Sequence, residues 1–377
     1  MTLEAHQFVT ALSYGDAIGD YTLEIQRILR KNGYRSEIYS EVVDPRMTKY
    51  VTSLYEYELH AREDILMLIH FSIGSDLGDV IPYYKGKKML IYHNITPYEW
   101  FKDVSKVLAH QCFLGRRQLQ LLKYFCPIGI GVSEHNRQEL EELGFAATGV
   151  LPIQLNLAKF NAKPDPLTRL EYDNDRTNIV VVGRTSPNKN LEDCLKIFAC
   201  YQKYLNPLSR LIIVGWREGF TPYYLALRRM ANELEIQEVI FTGHVGFDEL
   251  LAFYQIADVL LIMSRHEGFC VPILEAFYLN VPVVALDCCA IPDTAGAGGI
   301  LVQNEDYMAI AEMVHKVSAQ GEARQKLIAA QQKQVRRQQE FPFEQTLLQY
   351  LNQLRQTKSI SLNPNEQVGS ILHGNPI

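Results

Sequence analysis

Two short stretches bring together side chains that can do chemistry. The first is Ser264-Arg-His-Glu-Gly-Phe-Cys-Val-Pro-Ile-Leu-Glu-Ala276, which follows an apolar run and opens a helix. The start of a helix presents unsatisfied N–H groups and the positive end of the helix dipole, and both favour an anion such as a diphosphate. Glu267 falls at the end of the strand and Glu275 about two turns into the helix, a spacing that suits two carboxylates gripping different sugar hydroxyl groups. A plain strand-turn-helix with two surface glutamates is the competing reading. The second stretch is Val182-Gly-Arg-Thr-Ser-Pro-Asn-Lys-Asn190, again between strand and helix. Arg184 offers a planar fork and Lys189 a point charge, a pair suited to a pyrophosphate. The alternative is a solvated basic loop. Both stretches would sit at the carboxyl edge of one parallel sheet, where such folds bind ligands.

Two further loops carry weaker signals. Tyr14-Gly15-Asp16-Ala17-Ile18-Gly19 joins a strand to a helix and is not a G-x-G-x-x-G; an ordinary turn explains it as well as phosphate contact does. Tyr92-His93-Asn94 ends another strand, where a histidine can reach a ligand or be a buried structural group. His70 lies inside its strand and reads as structural.

The elements that must position these loops alternate between strand and helix. Apolar runs of strand length recur at 6–12, 36–39, 65–71, 89–92 and 128–132. After a polar stretch they recur at 178–182, 210–214, 239–241, 259–263 and 281–286. Amphipathic segments lie between them, the pattern of parallel sheets buried on both faces. The 377 residues suit two domains of ordinary size. The expected division is a Rossmann-like domain over 1–160, a linker over 161–177 and a second Rossmann-like domain over 178–340. A return helix over 341–358 and a disordered polar tail over 359–377 complete it. The net charge of −6 argues against nucleic acid as a partner. Seven scattered cysteines without a C-x-x-C pair fit reduced thiols in the cytoplasm better than disulfides or zinc. No signal peptide is expected at Met1–Thr10, and no run reaches ~18 apolar residues, so no spanning helix is expected. Residues 102–123 form a basic amphipathic segment that either packs inward or makes peripheral contact with a membrane.

At these residues the chain resembles glycosyltransferase family 4, the glycosyl transferases group 1, whose members are retaining enzymes of GT-B fold. Glu267 to Ala276 matches the family's E-x7-E motif, and Gly183 to Asn190 its G-R-x4-K-N loop. Phe241-Thr-Gly-His-Val is similar to its nucleotide-base segment, and Phe341-Pro-Phe-Glu-Gln-Thr to the segment that crosses back onto the first domain. The resemblance implies an α/β fold of two doubly wound domains facing a central cleft. It implies that Arg184 and Lys189 hold the donor diphosphate, with Gly183 and Asn190 in the same loop. Gly243, His244 and Val245 approach the nucleotide, and Glu275 holds the ribose hydroxyls. Glu267 and the backbone of Gly268, Phe269, Cys270 and Val271 hold the transferred sugar. His93 stands near the sugar's reacting face, and Gly15 and Asp16 near the phosphates or the acceptor. Cys270 departs from the glycine usual in the family, and Gly15-Asp16 from its paired glycines.

The implied activity is hexose transfer, of mannose or glucose type, from a nucleoside diphosphate sugar to a saccharide or lipid-linked acceptor in polysaccharide or glycan biosynthesis. GDP-mannose or UDP-hexose is the expected donor, with no metal and no other cofactor. The alternatives are a sugar-nucleotide epimerase or phosphorylase of the same fold, a dehydrogenase lacking its usual fingerprint, and a non-catalytic sugar-binding protein.

Overall fold

The computed structural model describes residues 3–303 and 306–362. The chain divides into two compact units. One takes in residues up to Tyr98, then His110–Leu155, then the chain from Pro342. The other takes in Glu99–Ala109 and Asn156–Phe341.

The first unit is built on strands β1 (Leu3–Leu12), β2 (Tyr34–Arg35), β3 (Ile38–Val43), β4 (Val51–Thr52), β5 (Leu66–Phe71), β6 (Lys87–Tyr92), β7 (Ile128–Gly131) and β8 (Ala147–Val150). Their order is β4-β3-β1-β5-β6-β7-β8, with β2 beside β1. The second unit is built on β9 (Thr177–Val182), β10 (Ser209–Val214), β11 (Val239–Gly243), β12 (Val259–Ile262), β13 (Val283–Leu286) and β14 (Ile300–Val302). Their order is β11-β10-β9-β12-β13-β14. Among the described residues every pairing in both sheets is parallel. This is the doubly wound arrangement, and chain direction across the sheet reverses beside the first strand of each unit. In the second unit the reversal falls between β9 and β12, and the two loops with chemistry leave the carboxyl ends of those two strands.

The central strands read as continuous apolar runs because helices cover both faces. Every residue of β5, β10 and β12 is buried. Helix starts are fixed by short polar side chains. Asp16 accepts from the backbone N–H of Ile18, Ser133 from Asn136 and Asp165 from Thr168. The helix Phe343–Gln356 belongs to the first unit. It buries Phe343, Leu347, Leu351 and Leu354, one stripe of helical period. Tyr350 donates to the Val150 carbonyl, and Glu344 pairs with Lys31 at 2.7 Å.

Three expectations about chain organisation meet a different structure. The stretch 161–177 contains the helix Pro166–Tyr172, which is part of the second unit. Its apolar Leu167 and Leu170 are 72 % and 82 % exposed, so the sequence offers no buried stripe to announce it. Tyr172 instead packs on Phe253, and the Asp165 N–H donates to the Asp248 carbonyl. Residues 99–109, placed by sequence in the first domain, group with the second unit, where Phe101 lies 6.0 Å from Phe220. The expected disordered tail begins with ordered contacts. Ser359 bonds to Gly86, and the Leu362 N–H donates to the Pro82 carbonyl. Residues 363–377 of that tail lie outside the described residues.

Lys88 is buried on β6, and its ammonium donates to the carbonyls of Tyr84 at 2.6 Å and Ile360 at 2.7 Å. Burial pulls it down to about 8. Lys88→Met should cost about 1–3 kcal/mol by stranding those acceptors. Chemical denaturation should show the loss, and hydrogen exchange should show residues 359–362 released. At Gly215, φ is +149°, and a Cβ there would sit 2.0 Å from the Gly183 carbonyl oxygen. Gly215→Ala must therefore push the loop that carries Arg184. A loss of about 1–3 kcal/mol in the same assay is expected.

Candidate functional site

The loop after β9 is held in a fixed form by its own bonds. The Gly183 N–H donates to Val214 and the Thr185 N–H to Trp216. Ser186 donates to the Asn188 side chain at 2.8 Å. Pro187–Lys189 makes one tight helical turn, and Asn190, in the left-handed region at φ +50°, ends it and begins the helix Leu191–Tyr204. The loop after β12 is tied to it. The Arg265 N–H donates to the Asn188 carbonyl at 2.9 Å. Asp193, nearly fully buried, accepts from Asn190 at 2.6 Å, Arg265 at 3.1 Å, Lys196 at 3.1 Å and Tyr307 at 2.9 Å. One carboxylate thus joins both loops to two helices. The sequence analysis missed Asp193; its place three residues after the helix-starting Asn190 was the available signal.

Between these loops Lys189 reaches Glu267 at 2.5 Å. Burial pulls the ammonium of Lys189 down, but the Glu267 carboxylate outweighs this and holds it above the ordinary lysine value. The Lys189 chain lies over Gly183, where a Cβ would come within 3.4 Å of it. Arg184 is exposed beside this pair and has no ion-pair partner among the described residues. Gly183, Arg184, Lys189 and Ser264 line a narrow crevice between β9 and β12.

Cys270 adopts φ +68° and ψ +63° as the residue before the helix Val271–Tyr278. Glycine takes this backbone without strain, which accounts for the family's usual choice. The thiol is buried and pushed far up by that burial, with Glu267 and Glu275 both adding to the effect. Glu275 is also nearly buried and accepts a 2.7 Å hydrogen bond from Tyr254 on the helix Phe247–Ile256. Tyr254 was not singled out from sequence. The backbone of Gly268 to Val271 lies in this same turn, with the Phe269 carbonyl held by Thr294.

Farther along the carboxyl edge, beyond β10, lie Gly243, His244 and Val245 at the end of β11. His244 is exposed and meets Trp216 edge to face at 5.0 Å. Trp216, 46 % exposed after β10, is an aromatic surface that sequence reading passed over. The structure therefore brings Arg184, Lys189, Glu267, Cys270 and Glu275 into one cluster and sets the 243–245 turn to its side.

In the first unit, Gly15 and Asp16 are exposed after β1, and Asp16 caps the helix Ala17–Lys31. His93 directly follows β6 and is 8 % exposed. Its Nε2 lies 3.0 Å from Nδ1 of His70, and Nε2 of His70 lies 3.0 Å from Oε1 of Gln7. Burial holds His93 down at about 3 and His70 well below the usual histidine value. His70, read as structural, is therefore bonded directly to a candidate site residue. Among the described residues no group of three or more His, Cys, Asp or Glu side chains is arranged to hold a metal ion, and no helix is long and apolar enough to cross a membrane.

Residues 168–334 match the family described as glycosyl transferases group 1. The chain is similar to the O-antigen chain mannosyltransferase RfbU of Salmonella typhimurium, at 31 % identity over 145 residues, which are 38 % of each chain. It is also similar to the alpha-monoglucosyldiacylglycerol synthase of Streptococcus pneumoniae, at 32 % identity over 233 residues. That match covers 60 % of this chain and 47 % of the relative. The matching stretches thus span less than half the length of either relative. Among solved structures, a sucrose-phosphate synthase from Thermosynechococcus elongatus superposes with a TM-score of 0.71 at 16 % identity. The match takes in 93 % of this chain and 99 % of that one. The fold is the GT-B class expected from sequence. The matched residues 168–334 hold both loops, the one after β9 and the one after β12.

Proposed function

We propose that the protein is a retaining glycosyltransferase that moves a hexose from a nucleoside diphosphate sugar to a saccharide or lipid-linked acceptor. The observation that carries this reading is the Lys189–Glu267 pair at 2.5 Å with Arg184 beside it, set at the point where the second sheet reverses. Arg184 and Lys189 would hold the diphosphate, Glu267 and the turn 268–271 the hexose, and Glu275 the ribose. Gly183, Asn190 and the 243–245 turn complete the donor site. In the first unit His93 would meet a substrate sugar, and the Gly15-Asp16 turn the phosphates or acceptor. The relatives' names include a mannosyl and a glucosyl enzyme, which supports GDP-mannose or a UDP-hexose as donor.

In this reading the acceptor hydroxyl attacks the anomeric carbon on the face from which the diphosphate leaves. The bond from that carbon to the phosphate oxygen breaks with its electron pair going to the phosphate. The acceptor's proton passes to the leaving phosphate. The protein supplies position and fixed positive charge. With two cations opposite the diphosphate, the step needs no metal. Peripheral membrane contact through 102–123 would rest on Lys102, Lys106, Arg117 and the exposed Val107 and Phe113. Arg116 is tied to Glu139, and Lys123 to the Leu143 carbonyl.

Incubation with a panel of GDP-, UDP- and ADP-sugars and saccharide and lipid acceptors, with the products identified, tests the activity. Release or transfer of hexose with retained anomeric configuration is expected; no turnover with any donor counts against it. Arg184→Ala should fold normally and lose about 100-fold or more in rate. Lys189→Ala should lose activity and also about 3–5 kcal/mol of stability, because it leaves the nearly buried Glu267 without its ionic partner. Equal stability of the two variants in thermal melts would show that the pair is not the anchor described.

A further inference from the structure

Side chains that are neighbours in sequence point apart on an extended or a helical backbone. Cys288 and Cys289 instead meet. They follow β13, in the turn that leads to the helix Ile291–Ala295, and their sulfurs lie 3.1 Å apart. The backbone makes this possible, because Cys289 stands in the left-handed region at φ +54°. Glycine takes that conformation freely and a residue with a Cβ does not, so the strain persists only where the surroundings hold it. Here both sulfurs face one oxygen, the Arg265 carbonyl, Cys288 at 3.2 Å and Cys289 at 3.5 Å. Both side chains are half-buried, whereas four of the other five cysteines are buried.

The shared carbonyl belongs to the loop after β12. The Arg265 N–H donates to the Asn188 carbonyl at 2.9 Å, and its guanidinium to Asp193 at 3.1 Å. The Ala290 N–H, next to the thiols, donates to the Glu267 carbonyl at 3.3 Å. The thiol pair therefore ties the turn after β13 to the loop that carries Glu267. A thiol is a weak donor, and a disulfide sulfur has no proton to give. Joining the two sulfurs needs about 1 Å of approach and withdraws both S–H donors from the carbonyl at once. The peptide bond holds adjacent Cα atoms about 3.8 Å apart, closer than is usual across a disulfide, so the bridge is strained. Strained bridges are the ones readily reduced again.

We infer that Cys288 and Cys289 form a reversible oxidation site, closed to a disulfide by low-molecular-weight disulfides, and that closure loosens the loop carrying Glu267. One cysteine sulfur attacks the small disulfide and breaks its S–S bond, whose electron pair leaves with the first small thiol. The other cysteine sulfur then attacks the mixed disulfide, forms the Cys288–Cys289 bond and releases the second small thiol. The two cysteines lose two electrons and two protons, and the small disulfide gains both. The hydrogen bond to Cys289, with burial, pushes the Cys288 thiol up; Asp287 adds to this and Arg265 opposes it. The thiolate is the attacking form, so closure should speed as pH rises. Closure can be read without turnover, so it stands or falls apart from the transferase activity.

The test treats the full chain, below its melting temperature, with dithiodipyridine, an aromatic disulfide. Cys200→Ser serves as the background, because Cys200 is the remaining cysteine that is not buried. Released pyridinethione is counted by absorbance, and the peptide holding 288–289 is weighed by mass spectrometry. Closure should release two pyridinethiones and leave that peptide two hydrogens lighter with no adduct; dithiothreitol should restore the original mass. Cys289→Gly suits the φ of +54° and should instead take one adduct on Cys288. Hydrogen exchange of amides 264–267 should run roughly two- to tenfold faster in the closed chain, the span of one lost hydrogen bond, and return with dithiothreitol. Separate adducts on Cys288 and Cys289, or no reaction at either, overturn the site. Loss of two hydrogens that persists in Cys289→Gly means a different partner and also overturns it. A closed pair with exchange at 264–267 unchanged overturns its hold on the loop.

Discussion

A single ion pair organises the second unit's chemistry. Lys189 and Glu267 come from loops 78 residues apart, yet they meet at 2.5 Å. The pair requires β9 and β12 to be adjacent, and the crossing of the chain between them makes them so. It also requires both loops to be rigid, which Asp193 ensures by holding Asn190 and Arg265 at once. A pair of this kind in a site of low polarity is weak evidence for stability but strong evidence for geometry, because its desolvation is repaid only when distances are short. Arg184 stands exposed beside this pair.

The first unit uses a different chemistry. Its hydrogen-bond chains begin on backbone carbonyls, which only accept, and each link fixes the next. The second unit places charged groups at its β9–β12 crossing, and the first places neutral hydrogen-bonding groups just after β6.

Much of this was legible in sequence because the second unit announces itself by local pattern. Apolar runs gave β9 to β13 nearly to the residue, and the Arg-x4-Lys and E-x7-E spacings gave the side chains that cluster. What stayed hidden depends on contacts distant in sequence. Tyr254 meets Glu275 from another helix, and Trp216 meets His244 from another strand end; nothing in their local sequence marks them. His70 looked structural because it lies inside a strand, and its bond to His93 exists only because β5 and β6 pair. The helix Pro166–Tyr172 was missed because its leucines face solvent. Cys270 could be seen as a departure from glycine, but the left-handed backbone that explains the glycine could not.

The central claim is that a nucleoside diphosphate sugar sits on the loops after β9 and β12. Hydrogen exchange of the full chain, measured with and without GDP and UDP and their hexose derivatives, tests it most directly. Amides of 183–190 and 264–275 should slow with at least one of these ligands, while the opposite, amino-terminal edge of that sheet is unchanged. Ligand-induced protection confined to other segments, with these two loops unaltered, would contradict the account.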